Sequence, residues 1–132
     1  MTQTPLASSP QFASELATRL AEVIPAGFTV AADDVSVRLA HNGQVIGSTD
    51  MAELVEDSEN FDDLPANLES AARAILSNVQ DWIADTTAEP WPGERGLPDA
   101  DAAVTDSILA MWWGARDNAV LALRPLDVAD LH

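Results

Sequence analysis

Among its 132 residues the chain has no cysteine, no tyrosine and no lysine. Without cysteine there are no disulfides, no thiolate metal ligands and no thiol nucleophile. Without tyrosine or lysine there is no phenolic proton donor, no Schiff-base former and no ammonium clamp for phosphate. Positive charge is scarce as well: six bases, all arginine, stand against 22 acids, for a net charge of −16. A GC-rich genome or adaptation to high salt produces such a composition. Its physical consequence is repulsion from phosphate backbones and anionic lipid heads, so neither nucleic acid nor membrane is expected as a partner. A basic protein partner is permitted. No apolar run approaches the roughly 20 residues that span a bilayer. The opening Met1–Pro10 has neither the basic head nor the apolar segment of a signal peptide, so a cytoplasmic location is expected.

What the chain does have is apolar residues, 47% of the total, enough for one domain with its own core. The dominant stretch is 65–86, where Leu68, Ala71, Ala72, Ile75, Val79, Trp82, Ile83 and Thr86 recur at helical spacing. Glu69, Ser70, Arg73, Ser77, Gln80, Asp81 and Asp85 fill the opposite side, so an amphipathic helix is expected, with Glu69 and Arg73 as an i,i+4 pair. A first helix starts at Ser9-Pro10, a capping residue followed by proline at the first helical position. It runs through Phe12, Leu16, Leu20, Val23 and Ile24 and ends at Pro25-Ala26-Gly27.

Between the helices the period drops to two. Phe28, Val30 and Ala32 alternate with Thr29 and Ala31; Val35, Val37 and Leu39 alternate with Ser36, Arg38 and Ala40. Asn42-Gly43 suits a two-residue type I′ hairpin, which opposes His41 to Gln44, Ala40 to Val45 and Leu39 to Ile46. That register buries Val35, Val37, Leu39 and Ile46 and turns Arg38, Ala40, Val45 and Gly47 outward. Within residues 50–64, Met51, Leu54 and Val55 suit either one helical turn or a short edge strand, and Glu56–Asp63 is an acidic loop holding Phe61. Residues 87–106 form a long connection rich in proline, glycine and acids. A second hairpin pairs Ser107–Trp113 with Ala119–Arg124 across a tip holding Arg116, and Pro125 ends it. The expected fold is α+β, a two-layer sandwich of order α-β-β-β-α-β-β. It has one five-stranded, mainly antiparallel sheet with both helices on one face. Residues 1–8 form a lead, 9–126 the domain and 127–132 a loose tail.

Chemistry is thinly represented. His41 and His132 lack a companion ligand at metal-binding spacing, and Asp99, Asp101 and Asp106 lack the glycine and closing glutamate of a calcium loop. No serine has a credible base, and neither a Gly-rich phosphate loop nor Gly-x-Ser-x-Gly occurs. No cofactor or metal is therefore expected. The tryptophans are the stronger candidates. Trp82 lies on the helical stripe and belongs to the core. Trp91, held between Pro90 and Pro92, is either an internal plug or an aromatic offered to a partner. Trp112 and Trp113 are adjacent on a strand and must face opposite ways. One enters the core, and the other needs cover from the Trp91 segment or a second subunit. A protein-binding or dimer surface of Trp91, Met111, Trp112, Trp113, Arg116 and Val120 is the resulting expectation.

With Trp82, Glu89-Pro90-Trp91-Pro92-Gly93 and the closing Trp-Gly…Leu-Ala-Leu-Arg-Pro hairpin in view, the chain resembles small, acidic, uncharacterised proteins of actinobacteria. Its element order is similar to that of class I type III secretion chaperones, which implies an acidic dimer that holds a protein segment. Three functions follow as expectations. The first is a non-enzymatic, chaperone-like binding module, homodimeric, using the outer face of the sheet. The second is an acidic inhibitor or immunity-type protein that neutralises a basic partner. The third is a carboxylate enzyme with its site near Glu89 and Trp91.

Overall fold

The computed structural model describes residues 10–50, 64–92, 98–115 and 118–130. The expectations for residues 1–8, for the helical turn or edge strand at Met51–Val55, for the acidic loop Glu56–Asp63, and for Arg116 and His132 lie outside these. Helix α1 covers Pro10–Ala21 and buries Phe12, Ala13, Leu16, Ala17 and Leu20 on one stripe. Val23 and Ile24 continue its apolar period but belong to a closing turn, where both of their N–H groups donate to the Leu20 carbonyl. Gly27, at a φ of +91°, takes the left-handed conformation that lets the chain reverse into the first strand.

Strands β1 (Phe28–Asp33), β2 (Ser36–His41) and β3 (Gln44–Asp50) form an antiparallel meander in the order β1-β2-β3. Asn42 and Gly43 both adopt positive φ, as the expected hairpin requires, and His41 opposes Gln44 and Ala40 opposes Val45. One residue further the pairing departs from expectation. Leu39 opposes Gly47, and Ile46 is the extra residue of a β-bulge. The bulge turns Gly47 inward, not outward, and brings its backbone against the indole of Trp82. A Cβ on Gly47 would overlap the ring's Cδ2 and Cε2. Gly47→Ala is expected to cost about 1–3 kcal/mol, the usual penalty for overpacking. Urea unfolding of Gly47→Ala with and without Trp82→Leu checks this, because the smaller side chain should remove most of the alanine's effect. Equal penalties in both backgrounds would refute the contact.

Helix α2 spans Leu64–Thr87 and leads, past Trp91 and Pro92, to a second antiparallel sheet. This sheet holds β4 (Ala100–Thr105), β5 (Ile108–Ala115), β6 (Asn118–Ala122) and β7 (Leu126–Asp127). β5 lies at its centre: β4 pairs along one side, and β6 and β7 share the other. The α+β class and the antiparallel pairing are as expected, but one five-stranded sheet is replaced by sheets of three and four strands. The first omission was β4, which falls in the stretch read as a connection. Its turn uses Asp106 and Ser107, both at positive φ without glycine. The second was β7, which crosses from the end of the expected domain into the expected tail: Leu126 is buried and opposes Leu109, and Asp127 opposes Ile108.

Both helices and both sheets contribute to one core. α2 reaches both sheets. Toward the first it sets Trp82 on Gly47, and the Asn78 amide donates to Thr49 Oγ1 at 3.0 Å. Toward the second its supposedly solvent-facing polar side acts as a set of clamps. Glu69 accepts the Val104 N–H at 2.7 Å, Arg73 donates to Asp101 at 3.2 Å, and Gln80, only 4% exposed, donates to the Pro98 carbonyl at 2.7 Å. Glu69 and Arg73 therefore spend their polar atoms on β4, not on each other.

Candidate protein-binding site

The residues expected to form one binding surface are divided by the pleat of β5. Leu109, Met111 and Trp113 alternate onto the inner face and are buried in the core. Met111 and Trp113 are thus unavailable to a partner, which corrects their assignment to the surface. Trp113 is fully buried, and its indole N–H donates to the Leu76 carbonyl at 3.3 Å. Trp91 is half-buried and meets Trp113 edge-on, with ring centroids 5.0 Å apart. Trp91 therefore covers the tryptophan that already faces the core. Trp112, on the opposite face, is nonetheless 5% exposed within the single chain. Around it that face presents Ile108 (39% exposed), Val120 (51% exposed) and the small side chains Ala103, Ala110 and Ala122.

Among the described residues no three His, Asp or Glu side chains gather as metal ligands. Asp99 and Asp101 lie at the opposite end of β4 from Asp106, and Asp101 is already engaged by Arg73 and the Ala102 N–H. His41 stacks obliquely on Phe28, with ring centroids 4.5 Å apart. Glu89 is exposed, and the groove described below includes neither it nor Trp91.

Charge is distributed unevenly in a way composition could not reveal. Every arginine among the described residues is held by an acid: Arg19 by Glu15, Arg38 by Asp33, Arg73 by Asp101 and Arg124 by Glu22. Asp34, Asp81, Asp85, Glu89, Asp99 and Asp106 are exposed and have no cation beside them among the described residues. Asp81 and Asp85 are one helical turn apart, and Glu89 follows just past the C-terminal end of α2, which has no basic residue in its last turn. Like charges at i,i+4 cost a few tenths of a kcal/mol, and the negative end of the helix dipole adds to that cost.

The Arg124–Glu22 pair perturbs the titration of its carboxyl. The Arg124 guanidinium bonds both Glu22 oxygens, at 2.9 to 3.3 Å, and holds the carboxyl below its ordinary value of 4.5. A lowered carboxylate pKa contributes stability that is fully present above the unfolded value and lost as pH falls through the folded one. Glu22→Gln should therefore be less stable than the parent at neutral pH. The difference should close as pH drops below about 4.5. Thermal melts of both proteins across that range check this, and a pH-independent difference would count against the pair.

A concave surface not anticipated from the sequence lies between α1 and β1. This open groove of about 380 Å³ is lined by Ser14, Ala17, Thr18 and Ala21 of the helix and Val30, Ala31 and Ala32 of the strand. The signal was present: four small residues at i, i+3, i+4 and i+7 on the flank of α1. In sequence Ala17 reads as part of the apolar stripe and Ser14 and Thr18 as helix surface, so the four form a groove wall only once β1 is placed beside them. Comparison with protein-family models, with curated proteins and with solved structures finds no match to this chain.

Proposed function

We propose that the protein is a non-catalytic binding module for a cationic protein, with an acidic surface that the arginines among the described residues do not neutralise. The observation that carries this reading is the uncompensated run Asp81, Asp85 and Glu89 at the negative end of α2. Such an arrangement is unfavourable in the isolated chain and becomes favourable when a cation is brought to it. Inhibitor, immunity-type and chaperone-like roles all fall within this class. The test is a pull-down from the native host with mass spectrometry, followed by light scattering of the eluted complex. The expected result is a partner of net positive charge in fixed stoichiometry, released by salt, whose capture falls with Asp81→Asn/Asp85→Asn/Glu89→Gln. Partners that are acidic, or that resist salt and ignore these substitutions, would overturn it.

A second reading is a homodimer formed through the outer face of the four-stranded sheet, supported by the exposed Ile108 and Val120. Sedimentation of the parent and of Val120→Asp would decide it, since a dimer through that face should become monomeric.

A further inference from the structure

The two outer strands that flank the helices treat their free edges differently. In β4 the closing pair Thr105–Ile108 fixes the ladder, so the backbone of Ala102 and Val104 points away from β5. Both outward N–H groups are taken by carboxylates: Val104 by Glu69 at 2.7 Å and Ala102 by Asp101 at 2.8 Å. β4 is thereby blocked against further pairing. In β1 the closing pair is Asp33–Ser36, which turns the backbone of Phe28, Val30 and Ala32 outward. The Phe28 N–H donates to the Pro25 carbonyl at 3.2 Å. Among the described residues nothing occupies the outward N–H and C=O of Val30 and Ala32. β1 also carries neither proline nor an inward charge to spoil its edge.

The groove beside α1 runs along this same edge. A strand added to β1 would sit about 4.8 Å from it and needs room on its far side. Ser14, Ala17, Thr18 and Ala21 leave that room where larger side chains would close it. The outward groups of Val30 and Ala32 offer four backbone hydrogen bonds, and about 380 Å³ holds roughly three residues of modest size. Asp33, paired with Arg38, and the unpaired Asp34 stand at the end of the strand. A second copy of this chain would bring two charges of −16 edge to edge, with no described arginine left to bridge them.

We propose that the groove between α1 and β1 binds an extended, arginine- or lysine-bearing segment of a protein partner by strand addition to β1. The inference rests on the cationic-partner reading above and adds to it the place and the geometry of docking. Backbone hydrogen bonds supply the register, and the size of the groove limits the segment to small or β-branched residues facing the helix. Asp34 at the strand's end, with no cation beside it among the described residues, selects its charge.

The probe is a six-residue peptide alternating arginine and valine, titrated into the full chain labelled with ¹⁵N. Saturable binding is expected, with amide shifts concentrated in residues 14–21 and 29–33. N-methylation of the peptide's two central pairing amides should weaken binding at least tenfold, because it removes backbone donors while keeping charge and side chains. Two variants repeat the test from the protein side. Ala32→Pro deletes an outward N–H without breaking the β1–β2 ladder, and Thr18→Arg fills the groove. Each should weaken binding tenfold or more while far-UV circular dichroism stays unchanged. Binding that maps to other residues and ignores N-methylation would overturn the inference and leave the cationic-partner reading standing. No binding of the peptide, together with no salt-released basic partner in the pull-down, would overturn both. A dimer of the parent chain that Ala32→Pro dissociates would also overturn it, because the edge would then belong to a second copy.

Discussion

Replacing Trp113 by alanine is expected to remove about 4 kcal/mol of stability, within the 3–5 kcal/mol typical of a large aromatic deleted from a core. Few positions in the molecule join as many elements. Trp113 lies on the inner face of the central strand β5, opposes Ala100 of β4 and Leu121 of β6, donates its N–H to Leu76 of α2 and carries Trp91 on its edge. A domain of this size has roughly 5–15 kcal/mol in total, so the loss would consume a large share of it. Urea unfolding followed by far-UV circular dichroism is the measurement, with the midpoint falling and the slope unchanged. Trp113→Phe keeps an aromatic ring and loses the N–H, and should cost clearly less. The Trp91 contact is measured separately by a double-mutant cycle with Trp91→Ala, where a coupling of about 0.5–1.5 kcal/mol is expected for an edge-on aromatic pair. A Trp113→Ala protein with an unchanged midpoint would mean that the second sheet does not pack on α2 as described.

How far such packing could be read in advance depends on the range of the interaction that decides it. Both helices follow from the spacing of residues such as Leu16, Leu20, Ile75 and Val79, which is local information. The Asn42-Gly43 turn is local too, and it sets the register of β2 and β3 for two pairs. The bulge at Ile46 is not local. It places Gly47 under Trp82, a residue 35 positions away, and nothing in the alternation of β3 announces it. β4 escaped notice because Ala100, Ala102 and Ala103 have little strand propensity and its turn at Asp106 and Ser107 uses no glycine. Its partners Glu69 and Arg73, and Gln80, which holds the Pro98 carbonyl just before it, look like a solvated helix face because hydrogen bonding to a distant segment leaves no periodic trace.

The candidate site divides along the same line. That Trp112 and Trp113 face opposite ways follows from strand geometry alone. Which of them enters the core, and that Met111 goes with it, required the location of α2. The acidity was visible as a number, but its distribution was not. Only the pairing of Arg19, Arg38, Arg73 and Arg124 shows that the acids near the end of α2 have no counterion among the described residues. The groove was least visible of all, since an open strand edge is a property of what fails to pair beside it.

Arg19→Met is the second substitution with a large expected effect, about 3 kcal/mol, and it tests how the C-terminal edge is held. Strand pairing along that side of β5 is interrupted at Arg124 and Pro125, between β6 and β7. The backbone does not leave its polar groups unanswered there. Arg19, 5% exposed, donates from Nε to the Arg124 carbonyl at 2.9 Å and from Nη2 to the Pro125 carbonyl at 3.1 Å. Its Nη1 donates to the Glu15 carbonyl at 3.2 Å and pairs with the Glu15 carboxylate. Methionine preserves most of the buried stem, so the loss isolates the guanidinium. Hydrogen bonds from a charged donor contribute about 1.5–3 kcal/mol each, and the Arg124, Pro125 and Glu15 carbonyls would lose such a donor, offset in part because the cation no longer has to be desolvated. Lysine keeps the charge but not the fork that reaches both carbonyls at once, so Arg19→Lys should recover less than half of the loss. Hydrogen exchange gives the local readout. The amides of Leu123 and Val128, which donate to Met111 on β5 and to Ser107 in the turn before it, should lose protection in Arg19→Met, while those of β1–β3 keep theirs. If the protection of Leu123 and Val128 were unchanged, the edge would be held by the Leu126–Leu109 packing and the Arg124–Glu22 pair without help from α1. The tie between the first helix and the last strand would then be a consequence of the fold and not one of its supports.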